Sequence, residues 1–244
     1  MRFIVMHKTD ARWEAGQRPS LELIAKVGAL ISDAASTGAF QGGEGLRPSS
    51  QGVRLAFGPN GERTVTPGPF TGANELPAGF SIIRAASLDA AVDWATEQAA
   101  ILGATEVDVR PVTEPWDLGM VPEPAEIKSR RYMALRKATP ATESGAEPTP
   151  AQRSALTTLI AKTRGNGVEH LASETLAPSR RGRRLINSRN GVTMFDGPFL
   201  ETKELVGGFM IMTAASIDEV EAVAERYIRM VEAPELDIRE LADL

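Results

Sequence analysis

Three carboxylates stand where their surroundings could give them chemistry. Asp196 precedes the rigid turn Gly197-Pro198-Phe199. A carboxylate held this way at the mouth of a cavity can act as a general base or fix a polar ligand. It can equally accept hydrogen bonds from nearby backbone N–H groups and do no more than shape the turn. Glu44 and Glu174 each interrupt a strand-like stretch, at matching places in the two halves of the chain. Facing a cavity, such a group would be desolvated, its pKa would rise and it could carry a proton. Facing outward or meeting an arginine, it would be structural. Arg110 and Arg239 fall late in the two halves and would serve either as ligand clamps or as surface residues alternating with buried valines. With Gly197 and Phe199 they complete the expected ligand-binding set. Pro67 occupies the place of Asp196 in the first half, so a symmetric two-Asp site is ruled out.

Other chemistries find less support. Cysteine is absent, which removes thiolate catalysis, disulfides and cysteine-based metal sites. His7 and His170 are the two histidines, and they lack metal-ligand spacing, so no metal is expected. No glycine-rich dinucleotide fingerprint opens a helix and no Gly-Lys-Ser/Thr phosphate loop is present. Gly42-Gly43-Glu44-Gly45 lies in a strand context. No cofactor is therefore expected. Arg180-Arg181-Gly182-Arg183-Arg184 could touch phosphates, but it sits at a turn in a chain of net charge −5. A solvated hairpin tip is the preferred reading, and nucleic acid is not an expected partner. The apolar run Phe3–Met6 is too short for a signal peptide, and no run approaches the roughly 20 residues of a membrane helix. The expected setting is the cytoplasm, without membrane contact.

The elements that would position these groups recur. Residues 2–6 read as a strand. Ser20 caps a helix with Leu23, Ile24, Val27, Leu30 and Ile31 on one face, and Gly38 ends it. Val53–Phe57 and Arg63–Thr66 flank a Gly-Pro-Asn-Gly turn and read as a hairpin. A strand at 79–85, a helix from Ser87 and a strand around Val107 and Val109 follow. Adding 129 to the residue number then carries Gly68, Phe70, Glu75 and Gly79-Phe80 to Gly197, Phe199, Glu204 and Gly208-Phe209. In the middle the shift is 130, taking Glu44, Pro48 and Leu55 to Glu174, Pro178 and Leu185. A fixed offset over so many residues signals tandem duplication. In the second half, capping boxes are expected at Thr149–Gln152 and Ser216–Glu219. Ile217, Val220, Ala224, Tyr227 and Val231 form an apolar helix stripe. The boundaries that follow are a first repeat at 1–112, a proline-rich linker at 113–129 and a second repeat at 130–244.

Each copy reads as strand, helix, strand, hairpin, strand, helix, strand. That is an α+β unit of ferredoxin-like type, with a bare sheet face that a second copy could cover by packing sheet on sheet. Asp196-Gly197-Pro198-Phe199, Glu201-Thr202-Lys203-Glu204 and Gly207-Gly208-Phe209 resemble the signature of the YCII-related family, in its DGPF branch. Gly42–Pro48, Val107–Val112 and Tyr132–Lys137 resemble further blocks of that family. The resemblance implies a dimeric α+β barrel, formed here as a pseudo-dimer within one chain, with further homodimerisation left open. It also implies binding of, or cofactor-free acid–base action on, a small organic molecule. The alternative it leaves is a non-enzymatic accessory protein associated with a sigma factor. A His–Asp pair proposed for the shorter YCII branch places its histidine on the first helix. Neither first helix here has one.

Overall fold

Phe3-Ile4-Val5-Met6 is apolar at every position, the pattern of a strand buried on both faces rather than one. The computed structural model, which describes residues 1–71, 75–163, 167–199 and 205–242, places it at the middle of a sheet. The first copy folds as β1 (Arg2–Lys8), α1 (Ala11–Glu14), α2 (Leu21–Ser36), β2 (Phe40–Gly45), β3 (Val53–Phe57), β4 (Arg63–Pro67), β5 (Pro77–Ala85), α3 (Leu88–Leu102) and β6 (Glu106–Pro111). The second repeats that order as β7 (Arg130–Lys137), α4 (Pro140–Ser144), α5 (Pro150–Thr163), β8 (Val168–Thr175), β9 (Arg183–Ser188), β10 (Gly191–Asp196), β11 (Val206–Thr213), α6 (Ile217–Val231) and β12 (Glu235–Glu240).

The strands form two six-stranded antiparallel sheets, ordered β10-β9-β12-β1-β11-β2 and β4-β3-β6-β7-β5-β8. Neither sheet belongs to one copy. β1 pairs with β11 and β12, and β7 pairs with β5 and β6. Each copy therefore gives its first two strands to the other's sheet. The expectation that each copy builds its own sheet is corrected on this point. The result is an α+β fold in which the two copies are interleaved.

Three apolar clusters follow from the two-residue alternation of the strands. On β1, Phe3 and Val5 pack with α2 and α6, while Ile4 and Met6 face the other sheet. On β7, Tyr132 and Ala134 pack with α3 and α5, while Met133 and Leu135 face inward. The central cluster joins both sheets, and at its middle the equivalent residues Phe80 and Phe209 meet at 4.8 Å between ring centroids. Each such fully buried side chain contributes about 1.5–3 kcal/mol. This sheet-on-sheet interior is filled by side chains.

Helix starts follow the sequence with one departure. Ser20 Oγ accepts the Leu23 N–H, and the Thr149–Gln152 box is complete. At α6 the Ser216 side chain makes no cap bond, and Glu219 instead accepts the Ala215 N–H at 3.0 Å.

Candidate functional site

The turn Gly197-Pro198-Phe199 is built for contact with another piece of backbone. A Cβ at Gly197 would lie 1.8 Å from the Ser179 carbonyl oxygen, and one at Gly68 would lie 1.9 Å from that of Ser49. Only glycine fits such an approach. The Ser179 hydroxyl accepts the Phe199 N–H at 3.0 Å and donates to Glu143, which pairs with Arg239. Ser49, Phe70, Glu14 and Arg110 repeat the arrangement in the first copy. Each arginine also donates to the opposite copy, Arg110 to the Val206 carbonyl and Arg239 to that of Pro77. The Phe199 ring lies 4.4 Å from the Arg184 guanidinium, and Arg184 pairs with buried Asp237. Arg110 and Arg239 thus tie the two copies together, while Gly197 and Phe199 fix the turn within the second copy. Glu201-Thr202-Lys203-Glu204 lies outside the described residues.

The three carboxylates do not converge. Asp196 lies on edge strand β10, its side chain 80% exposed and paired at 3.0 Å with Arg183 across the hairpin. Its neighbours Met194 and Phe195 are exposed as well. Glu44 of β2 binds Arg131 of β7, and Glu174 of β8 binds Arg2 of β1 at 2.5 Å. These are equivalent pairs, each bridging the sheets. Burial lifts the Glu44 carboxyl above its ordinary range against the pull of Arg131, as expected for a desolvated strand glutamate. Its oxygen is nonetheless held by the arginine. The arginine cluster is also engaged: Arg180 bonds the Glu143 carbonyl, Arg181 pairs with Glu240, Arg183 with Asp196, Asp218 and Glu221, and Arg184 with Asp237.

A substantial opening lies elsewhere, between α2 and the helix-facing side of the first sheet. It is a cavity of about 430 Å³. Leu23, Ile24, Val27 and Ile31 of α2, with Trp13, make it mainly apolar. The stretch read as a linker contributes Thr113, Asp117, Leu118 and Met120 to its wall. Its half-buried charged groups satisfy one another, whereas Arg18 is exposed. Arg47 pairs with Asp117 and donates to Gln51 at 2.6 Å, while Glu14 takes Ser49 and Arg110.

His7 lines this cavity and is different. It follows Phe3 and Val5 on the helix-facing side of β1, opposite Gly208 on β11. A Cβ at Gly208 would stand 2.6 Å from its Cε1, and one at Gly207 would stand 2.9 Å from its Nε2. The glycine pair therefore makes the room in which the imidazole lies. Tyr227 of α6 holds Nδ1 at 2.9 Å, its ring edge-on to the imidazole. Nε2 has no partner among the described residues. Burial, and then the nearby Arg110 and Lys8 charges, bring the His7 pKa down to about 4. Burial pushes the Tyr227 phenol upward. Both rings are neutral at neutral pH.

Sequence reasoning considered His7 only as a metal ligand and Tyr227 only as part of an apolar stripe. A usable signal was present. The offset of 129 puts Arg136 opposite His7 and Gln98 opposite Tyr227, so two departures from the repeat fall at one place in the fold. No group of three or more potential metal ligands occurs among the described residues, and none of their helices is long and apolar enough to cross a membrane.

No curated protein and no solved structure matches the chain. A family model, the YCII-related domain, matches residues 1–114 and again residues 131–232. These matches cover most of the chain and coincide with the two interleaved copies. The chain belongs to the YCII-related family and carries its domain twice in tandem.

Proposed function

We propose that the protein binds a small, mainly apolar organic molecule in the cavity beneath α2, with an oxygen of that molecule on His7. The observation that carries this reading is the imidazole itself. In a mainly apolar cavity whose half-buried charged groups are paired, His7 Nε2 is a polar atom without a partner among the described residues. The Tyr227 hydroxyl has no other acceptor among the described residues, so it donates to Nδ1. The ring proton is then on Nε2, which offers a donor to a carbonyl or ether oxygen. A neutral imidazole in this position can polarise a carbonyl without giving up its proton. Any reaction would use this electrophilic role and no cofactor.

The strand order β12-β1-β11-β2 supports the dimeric α+β barrel type, with a ferredoxin-like sheet written across two copies and β9-β10 added at its edge. In that reading the ligand lies outside the filled interior, under a helix. The lack of cysteine supports a reducing, cytoplasmic setting.

The test is thermal stabilisation of the intact chain by a panel of small carbonyl and ether compounds, repeated on Tyr227→Phe, His7→Gln and Asp196→Asn. A compound whose effect falls at least severalfold in the first two variants and persists in the third supports the reading. An effect that survives both and disappears with Asp196→Asn returns the site to the β9–β10 hairpin.

A further inference from the structure

The position equivalent to His7 in the second copy holds Arg136 of β7, and it opens on a second cavity of about 350 Å³. Alternation along β7 puts Tyr132, Ala134 and Arg136 on the helix-facing side. Arg136 is only 9% exposed. Its guanidinium lies across Gly79 of β5, where a Cβ would be 2.2 Å from Nη2 and 3.1 Å from Cζ. Yet this guanidinium has no hydrogen-bond or ion-pair partner among the described residues. The other buried cations of the fold are answered. Lys137 meets Glu75 and Asp108, Lys8 meets Asp237, and Arg110 meets Glu14.

Burial brings the Arg136 pKa down to about 10, so the group keeps its charge at neutral pH. A buried charge without a counter-charge is among the costliest arrangements a fold can hold. Thr142, Gln152, Thr175, Arg180 and Arg181 also line this cavity. Arg181 is paired with Glu240, whereas Arg180 donates to the Glu143 carbonyl and meets no carboxylate among the described residues. The one carboxylate in the lining, Glu147, is exposed. The balance of charge in the cavity is positive, and Arg136 is a buried cation in its wall without a counter-charge among the described residues.

We infer that the Arg136 cavity is an anion site that takes the carboxylate or phosphate group of a small molecule, with the Arg136 guanidinium as its anchor. The planar fork of donors can take two oxygens of either group at once. Duplication has thus produced two cavities of different chemistry, one closing on a neutral imidazole and one on a guanidinium. The anion site does not depend on what the His7 cavity binds.

Calorimetric titration of the full chain at low ionic strength tests this, with inorganic phosphate and succinate as separate probes. Saturable binding of at least one probe is expected. Arg136→Gln should weaken it about tenfold or more, the scale of a lost charge-assisted bond. Arg136→Lys should keep part of it, and Arg181→Ala should change it only a few-fold. Preference for phosphate would identify a phosphate ester as the natural class, and preference for succinate a carboxylate. In the absence of a probe, Arg136→Met should melt no lower than the parent, since no protein partner is lost, and the probe should stabilise the parent alone. Three results would each overturn the inference: no binding of either probe, binding unchanged in Arg136→Gln, or a probe-free Arg136→Met that melts clearly below the parent.

Discussion

His7 and Arg136 occupy one place in the two halves of the fold, each lying across a glycine of the adjacent strand, Gly208 and Gly79. The scaffold around them is the same: a Ser–Glu–Arg lock, a Gly-Pro-Phe turn and a helix laid over the sheet. What differs is the group pointing into the space under the helix. An asymmetric function follows from a symmetric frame.

The depressed pKa of His7 makes stability depend on pH. The unfolded chain holds the imidazole at its ordinary value of 6.5, and the folded chain at about 4. Between those values the unfolded state binds more protons, so stability is full above about pH 6.5 and is lost as pH falls toward 4. The His7 share of that loss is about 2 kcal/mol between pH 7 and pH 5. Urea unfolding at pH 7 and pH 5 should show a smaller drop for His7→Gln than for the parent. An equal drop would place the titration elsewhere.

Gly28 lines the His7 cavity from α2, and a Cβ there would meet nothing within 4 Å. Gly28→Leu should therefore raise stability by about 1 kcal/mol through helix propensity. It should also remove any ligand-induced stabilisation by covering the opening. A variant that is stabilised and still binds would move the site away from α2.

Ser179 is fully buried and joins Glu143 to the Phe199 N–H. Ser179→Ala leaves that N–H without its acceptor and should cost about 1–3 kcal/mol. Chemical denaturation would measure it, and Ser49→Ala should behave alike. A cost near zero would mean that the Gly-Pro-Phe turn is held by something other than this serine.

Asp196→Asn should change stability by less than about 0.5 kcal/mol, as expected of an exposed ion pair. A loss several times larger in the same denaturation experiment would show that Arg183 depends on it.

Much of this frame was legible in the sequence, for identifiable reasons. The repeat offset, the capped start of α2 and the β3–β4 hairpin each rest on local chemistry that needs no partner. The exchange of β1 and β7 between sheets was hidden. The apolar runs Phe3–Met6 and Tyr132–Leu135 demand two buried faces, and either copy's sheet would supply them. Asp196 stood out because it begins a distinctive motif, yet that motif answers to backbone packing at Ser179. His7 and Tyr227 are 220 positions apart, and a tyrosine in an apolar stripe looks like core until the imidazole is placed beside it.

Nitrogen-15 NMR of the imidazoles tests the central claim most directly, because the chain has only two histidines and His170 serves as an internal reference. The account predicts that His7 remains neutral, with its proton on Nε2, down to about pH 4. It also predicts that a stabilising carbonyl compound shifts that Nε2 resonance and leaves His170 in place. A His7 that titrates near its ordinary value of 6.5, or whose Nε2 ignores the bound compound, would contradict it.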